Sequence, residues 1–167
     1  ESGENLLGLL TGILDMTYLE SGDLTVHSEI ANIKHIAEQV HQKWMEKVDK
    51  DNIIFTLGIA EDVPNELMLD VNRISITLDN LVSNAVKFTK SGRIHIHITM
   101  EPFTSDKPRN PKDDDNTKKL SVIVADTGIG MSEVMIANLF KPFMQADSSM
   151  TRDYGGAGIG LSVSRGL

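Results

Sequence analysis

The chain contains no cysteine. Disulfides and thiolate-held zinc are therefore excluded, and the composition fits a reducing compartment without requiring one. Long apolar runs are missing too. The apolar stretches are short and interrupted, and none reads as a membrane span. Positive charge is scarce: 16 Lys and Arg stand against 24 Asp and Glu, a net charge of -8. Phosphate backbones need a basic surface, so broad attraction to nucleic acid is disfavoured. An acidic domain that binds a polyanion must gather positive potential locally, from helix N-termini, a few Lys and Arg, and a bound cation. No GxxxxGK[ST] motif is present, which removes a Walker-type phosphate loop. The glycine clusters come late and lack a following ribose-binding acidic residue, which argues against a dinucleotide fold. A start methionine and a signal peptide are also lacking. Glu1 opens inside a helical pattern, so the chain reads as a piece of a longer protein.

What is there suffices for a packed domain. The 167 residues are 40% apolar and 24% charged, which fits one domain, or one domain with a helical arm. Residues 1–21 read as a helix, with Leu6, Leu10, Ile13 and Met16 at helical spacing and Gly22 as its stop. Such a short stripe needs a partner helix. The spacing predicts a second helix over 28–48, burying Ile33, Ile36, Ala37, Val40, Trp44 and Val48. Ile53–Ile59 and Leu67–Leu69 read as strands, and Val71–Phe88 as a strong helix. Residues 93–101 alternate, with Ile94, Ile96 and Ile98 inward and His95, His97 and Thr99 outward. Residues 102–119 form a polar loop with three prolines. A buried strand is expected over 120–125, a short helix from Ser132 to about Lys141, and a last helix from Gly156. This order argues an α+β fold: a two-layer α/β sandwich whose mixed sheet is covered by helices on one face, preceded by an N-terminal helix.

Three features carry chemistry. On the helix Val71–Phe88, Ile74, Leu78, Leu81, Ala85 and Phe88 form one stripe. Arg73, Thr77, Asn80, Asn84 and Lys87 form another at the same spacing. A neutral amide oxygen suits a hard cation such as Mg2+, and a lysine neutralises phosphate; the same stripe is also what a solvated helix face presents. Next comes Asp126-Thr127-Gly128-Ile129-Gly130-Met131, directly after a strand. An aspartate there can accept a hydrogen bond from an exocyclic amine such as adenine N6, and glycines let backbone approach a flat ring. A plain strand-to-helix turn would use the same residues. The third is Gly155-Gly156-Ala157-Gly158-Ile159-Gly160, four glycines in six residues leading into a helix. Its free N–H groups favour an anion over the alternative of a flexible hinge. Between the last two, Phe140 and Phe143 read either as anchors of a mobile lid or as ordinary packing.

In combination these segments resemble sensor histidine kinases of the hybrid type. Residues 79–89 look like the family's N box, 126–131 its G1 box, 140–145 its F box and 151–161 its G2 box, in the family's order and spacing. The resemblance covers 31–167, the ATP-binding catalytic domain. Residues 1–22 resemble the end of the second dimerisation helix, and 23–30 a linker. The resemblance implies the Bergerat ATP-binding fold of the GHKL superfamily, with ATP and Mg2+ as cofactors. By position, Asn84 would ligate Mg2+, with Asn80 and Lys87 against the phosphates and Phe88 and Phe143 near the nucleotide. Asp126 would bind the adenine amine, with Gly128 and Gly130 shaping its pocket. Gly156, Gly158, Gly160 and Leu161 would admit the phosphates, and Gln145 and Arg152 would reach the γ-phosphate from the lid.

ATPases of that superfamily carry a water-activating glutamate one turn before the metal-binding asparagine. Here the position is Asn80, and an amide is not a general base at neutral pH. Transfer to water should be slow, and the expected acceptor is a neutral imidazole. None of His27, His35, His41, His95 or His97 sits in the family's acceptor motif, so the acceptor is expected on a helix outside this chain. Ala157 replaces a frequent hydroxyl of the G2 box, and the family's last sheet strands are expected beyond Leu167. The resemblance implies three partners: ATP or ADP, the kinase's own dimerisation and phosphoacceptor domain, and the receiver domain of a response regulator. Neither nucleic acid nor direct membrane contact is expected. It also implies a cytoplasmic location, with or without a membrane anchor elsewhere in the parent protein.

Overall fold

The structure, a computed structural model, describes residues 26–102 and 118–139. Among these, the elements run β1 (Glu29–Ala31), α1 (Ile33–Met45), β2 (Ile53–Ile59), β3 (Leu67–Leu69), α2 (Val71–Phe88), β4 (Gly92–Pro102), β5 (Lys118–Asp126) and α3 (Glu133–Asn138). The expected first and last helices, at 1–21 and from Gly156, lie outside the described residues.

The principal sheet has the order β2-β4-β5. β2 runs parallel to β4, and β4 antiparallel to β5, so the sheet is mixed. Ile94, Ile96 and Ile98 alternate along β4 and are fully buried. Each burial removes enough apolar surface to stabilise the fold by about 1.5–3 kcal/mol. The helices supply the other wall: Ile33, Ile36, Ala37 and Val40 from α1, and Leu78, Val82 and Ala85 from α2. With both helices on one face, the two-layer α+β expectation holds.

Two sequence expectations change. The helix expected from Ser28 begins at Ile33, because Asn32 is its cap, taking the N–H of Lys34 on Oδ1 at 2.9 Å. The residues before it form β1, which pairs antiparallel with β3, Glu29 opposite Leu69. Such pairing is non-local, and local helix patterning cannot reveal it. The strand expected as buried over 120–125 is longer and only half-buried, with Ile123 47% exposed. It is covered on the helix side alone.

α2 is fixed at both ends. Asp70 caps it by accepting the N–H of Arg73 at 3.1 Å, and its other oxygen accepts the N–H of His27 at 3.0 Å. At the far end, Thr89 turns to extended backbone while its N–H still bonds to the Ala85 carbonyl. In the middle, Asp79 Oδ1 accepts from Lys43 Nζ at 2.7 Å and from the Trp44 indole at 2.9 Å, which ties α2 to α1.

Candidate nucleotide site

The core stripe of α2 is Leu78, Val82 and Ala85, with Ile74 packed against it. Leu81, expected there, is only half-buried, and Val82 takes its place. Ile74, Leu78 and Ala85 keep the expected face, and the exchange of Leu81 for Val82 is confined to this turn. Phe88 likewise lies outside the buried core. Asn80, Asn84 and Lys87 are half-buried on the remaining surface. Partial burial holds the Lys87 ammonium below the ordinary lysine value of 10.5. Its Nζ stands 5.0 Å from the centre of the Phe88 ring.

The end of α2 meets the loop after β5. The N–H of Ile129 donates to the Phe88 carbonyl at 3.3 Å. Asp126 Oδ1 accepts the N–H of Gly128 at 2.8 Å, folding the carboxylate over its own loop. A Cβ on Gly128 would strike the Phe88 carbonyl oxygen and come within 2.9 Å of Asp126 Oδ1. A glycine is therefore required by close approach. Gly130 is different: nothing stands within 4 Å of its would-be Cβ, but its φ of +66 is in the left-handed region. Asn84 lies one turn before Phe88, about 6 Å of axial rise from the point where this loop docks, and Asn80 about 12 Å.

So the structure joins Phe88, Asp126 and Gly128 directly, with Lys87 beside Phe88 and Asn84 one turn away. Phe143, Gln145, Arg152, Gly156, Gly158, Gly160 and Leu161 lie outside the described residues, as does Phe140. Of the Asn80 turn, a second feature is evident. Asn80 also lines a cavity of about 350 Å³ between α1 and α2, with Ile36, Val40, Lys43 and Asp79 among its walls. None of Asn84, Lys87 or Asp126 lines it, so it is a groove between helices and not the site around Gly128.

Three residues at this junction were given no role of their own by the sequence reading. Thr127 Oγ1 accepts the N–H of Arg93 at 2.9 Å and clamps the loop to β4. A Cβ on Gly92, whose φ is +120, would strike that same hydroxyl oxygen. Thr89 is 3% exposed, and its Oγ1 has no hydrogen-bond partner. A buried hydroxyl left unmatched beside Phe88 leaves hydrogen-bonding capacity for a ligand or a water. Thr89 and Thr127 stand inside the N-box and G1-box segments, yet their spacing gives no periodic signal, and only the fold makes them stand out. The unmatched hydroxyl, the backbone cradle at Gly128 and the neutral oxygen donor on Asn84 all fit a nucleotide carrying a hard cation.

Residues 69–167 match the family of histidine kinase-, DNA gyrase B- and HSP90-like ATPases. The chain belongs to that family. It is 33% identical over 166 residues to the autoinducer 2 sensor kinase/phosphatase LuxQ of Vibrio vulnificus, covering 99% of this chain and 18% of that protein. It is also 33% identical over 167 residues to the signal transduction histidine-protein kinase BarA of Escherichia coli, covering 99% and 17%. The chain thus spans less than a fifth of the length of these relatives. Among solved structures, full-length ShkA in complex with AMPPNP superposes with a TM-score of 0.75 at 25% identity, covering 99% of this chain and 31% of that one. The catalytic domain of histidine kinase ThkA gives 0.59 at 27% identity, covering 83% and 79%. No helix among the described residues is long and apolar enough to cross a membrane.

Proposed function

We propose that this chain is the ATP-binding catalytic domain of a sensor histidine kinase, and that it transfers the γ-phosphoryl group of Mg–ATP to a histidine on a dimerisation domain. The observation that carries the reading is the docking of the Gly128 loop, with the Asp126 carboxylate, onto the Phe88 carbonyl at the end of the asparagine-bearing helix. Family membership supports it, as does the naming of relatives such as LuxQ and BarA as sensor or histidine kinases.

In this reading Asp126 accepts the adenine amine through Oδ2, since Oδ1 already holds the loop. Gly128 and Gly130 line the base. Asn84 supplies an amide oxygen to Mg2+, which would neutralise charge between the phosphates. Asn80 and Lys87 face the phosphates; by the family resemblance Gly156, Gly158, Gly160 and Leu161 would admit them, Phe143 would lie near the nucleotide, and Gln145 and Arg152 would contact the γ-phosphate. An acceptor imidazole nitrogen attacks the γ-phosphorus, the bond to the β–γ bridging oxygen breaks, and ADP leaves with that electron pair. The protein's share is positioning and charge neutralisation. Asn80 offers no base to activate water. The proposed partners are the kinase's own phosphoacceptor domain and a response-regulator receiver domain, with the reaction on the cytoplasmic side.

The test mixes this chain with a separately made dimerisation fragment and γ-labelled ATP. Label on a histidine is expected, with little phosphate release by the chain alone. Sustained phosphate release without the acceptor would mean an ATPase. Nucleotide binding with no label on histidine would mean a regulatory module.

A further inference from the structure

The parallel pairing of β2 with β4 sets Thr56 opposite His95 and Gly58 opposite His97. The two histidines stand two residues apart on one strand and share the sheet face opposite the buried isoleucines. Their rings lie nearly parallel, with centres 5.5 Å apart and 26° between planes. His95 Nδ1 is 2.7 Å from the Thr56 hydroxyl. With the proton on Nδ1 donated to Thr56, the lone pair of this imidazole sits on Nε2. That Nε2 is 3.4 Å, and His97 Nδ1 3.2 Å, from the single point a Cβ on Gly58 would occupy. His97 Nδ1 is moreover buried and without a hydrogen-bond partner. His95 Cε1, at 3.1 Å, is the nearest atom to that point, so the two nitrogens flank, with one ring edge between them, a space that exists because residue 58 has no side chain.

We propose that His95 Nε2 and His97 Nδ1, above Gly58, form a two-nitrogen site for a divalent transition-metal ion such as Cu2+ or Zn2+. Imidazole is the ligand these ions favour, and their bonds to nitrogen are about 2.0–2.1 Å. From 3.4 and 3.2 Å each nitrogen must close in by more than about 1 Å, and the nearly parallel rings must turn so that their in-plane lone pairs meet at the ion. Within this proposal the Thr56 hydroxyl accepts from His95 Nδ1–H and leaves Nε2 for the ion. Among the described residues no group of three or more His, Cys, Asp or Glu side chains is placed to hold a metal ion, so the protein would supply these two nitrogens only. Water completes the coordination. The ion would be held by β4 alone, over Gly58 of β2 and on the face away from the nucleotide helix, so the site does not depend on the nucleotide reading.

The experiment titrates Zn2+ into the untagged, metal-free chain and follows imidazole nitrogen NMR shifts, with Cu2+ EPR counting the bound nitrogens. One equivalent should bind, shift His95 Nε2 and His97 Nδ1, and give a two-nitrogen spectrum. Binding should vanish in His95→Gln/His97→Gln, weaken in Gly58→Ala, whose methyl fills the space, and fall roughly 10- to 100-fold in Thr56→Val. Should a variant fail to fold, the wild-type shifts decide alone. Shifts confined to His27, His35 or His41, absence of saturable binding, or unchanged affinity in the double variant would overturn the proposal.

Discussion

Gly128 sits so close on Phe88 that a single added methyl would collide with the Phe88 main-chain carbonyl. The contact joins the last turn of the asparagine-bearing helix to the loop carrying Asp126, and the two halves of the proposed adenine and phosphate sites depend on it.

Gly128→Ala and Gly130→Ala should behave differently. At Gly128 the methyl meets immobile backbone, so the loop must lift from Phe88. A loss of about 1–3 kcal/mol in denaturant stability is expected, with nucleotide affinity falling alongside. At Gly130 there is room, and only the left-handed backbone opposes the substitution, costing about 1 kcal/mol with less effect on affinity. Equal losses in both would remove the close-approach account.

Lys87 should show opposite signs in stability and binding. Its folded pKa is depressed by partial burial, so between that value and 10.5 the unfolded chain holds more protons. Stability therefore rises with pH across that alkaline window, and below it the folded state carries a steady penalty. Lys87→Met should leave stability unchanged or higher while weakening Mg–ATP binding by about 10- to 100-fold, the range of one charge-assisted hydrogen bond. In the wild type, nitrogen NMR should show the Lys87 pKa moving up when nucleotide binds. No movement would place Lys87 away from the phosphates.

Asp79 should act as a tie between helices. The chain has one tryptophan, and its indole donates to Asp79. Asp79→Ala is expected to change the Trp44 emission and to cost about 1 kcal/mol, the net worth of an ordinary hydrogen bond. Asp79→Asn keeps an acceptor for the indole and should recover most of the emission. Identical spectra in all three proteins would contradict the assigned geometry.

Much of this was legible in the chain itself. The alternation at Ile94, Ile96 and Ile98 identified β4 and its inward face, and Ser132 marked the start of α3 through its bond from Met135 N–H at 3.3 Å. The bounds of α2 were legible from its periodicity. The burial of Val82 in place of Leu81 was not, because both are apolar and only the packing against the sheet chooses between them. β1 was hidden because a three-residue strand exists only through its partner β3. Gly128 was read as permissive backbone near a ring. Its actual constraint, the Phe88 carbonyl forty residues earlier in the chain, is a non-local approach that no spacing rule encodes.

The most direct test is a fluorescent-nucleotide titration of the intact chain with and without Mg2+, repeated with Asn84→Ala. Saturable binding in the micromolar range that strengthens with Mg2+ is expected in the wild type, as an order-of-magnitude figure. The variant should bind more weakly and lose the Mg2+ dependence. Absence of saturable binding, or a variant as tight and as Mg2+-responsive as the wild type, would contradict the assignment of α2 as the helix that holds the metal-bridged phosphates.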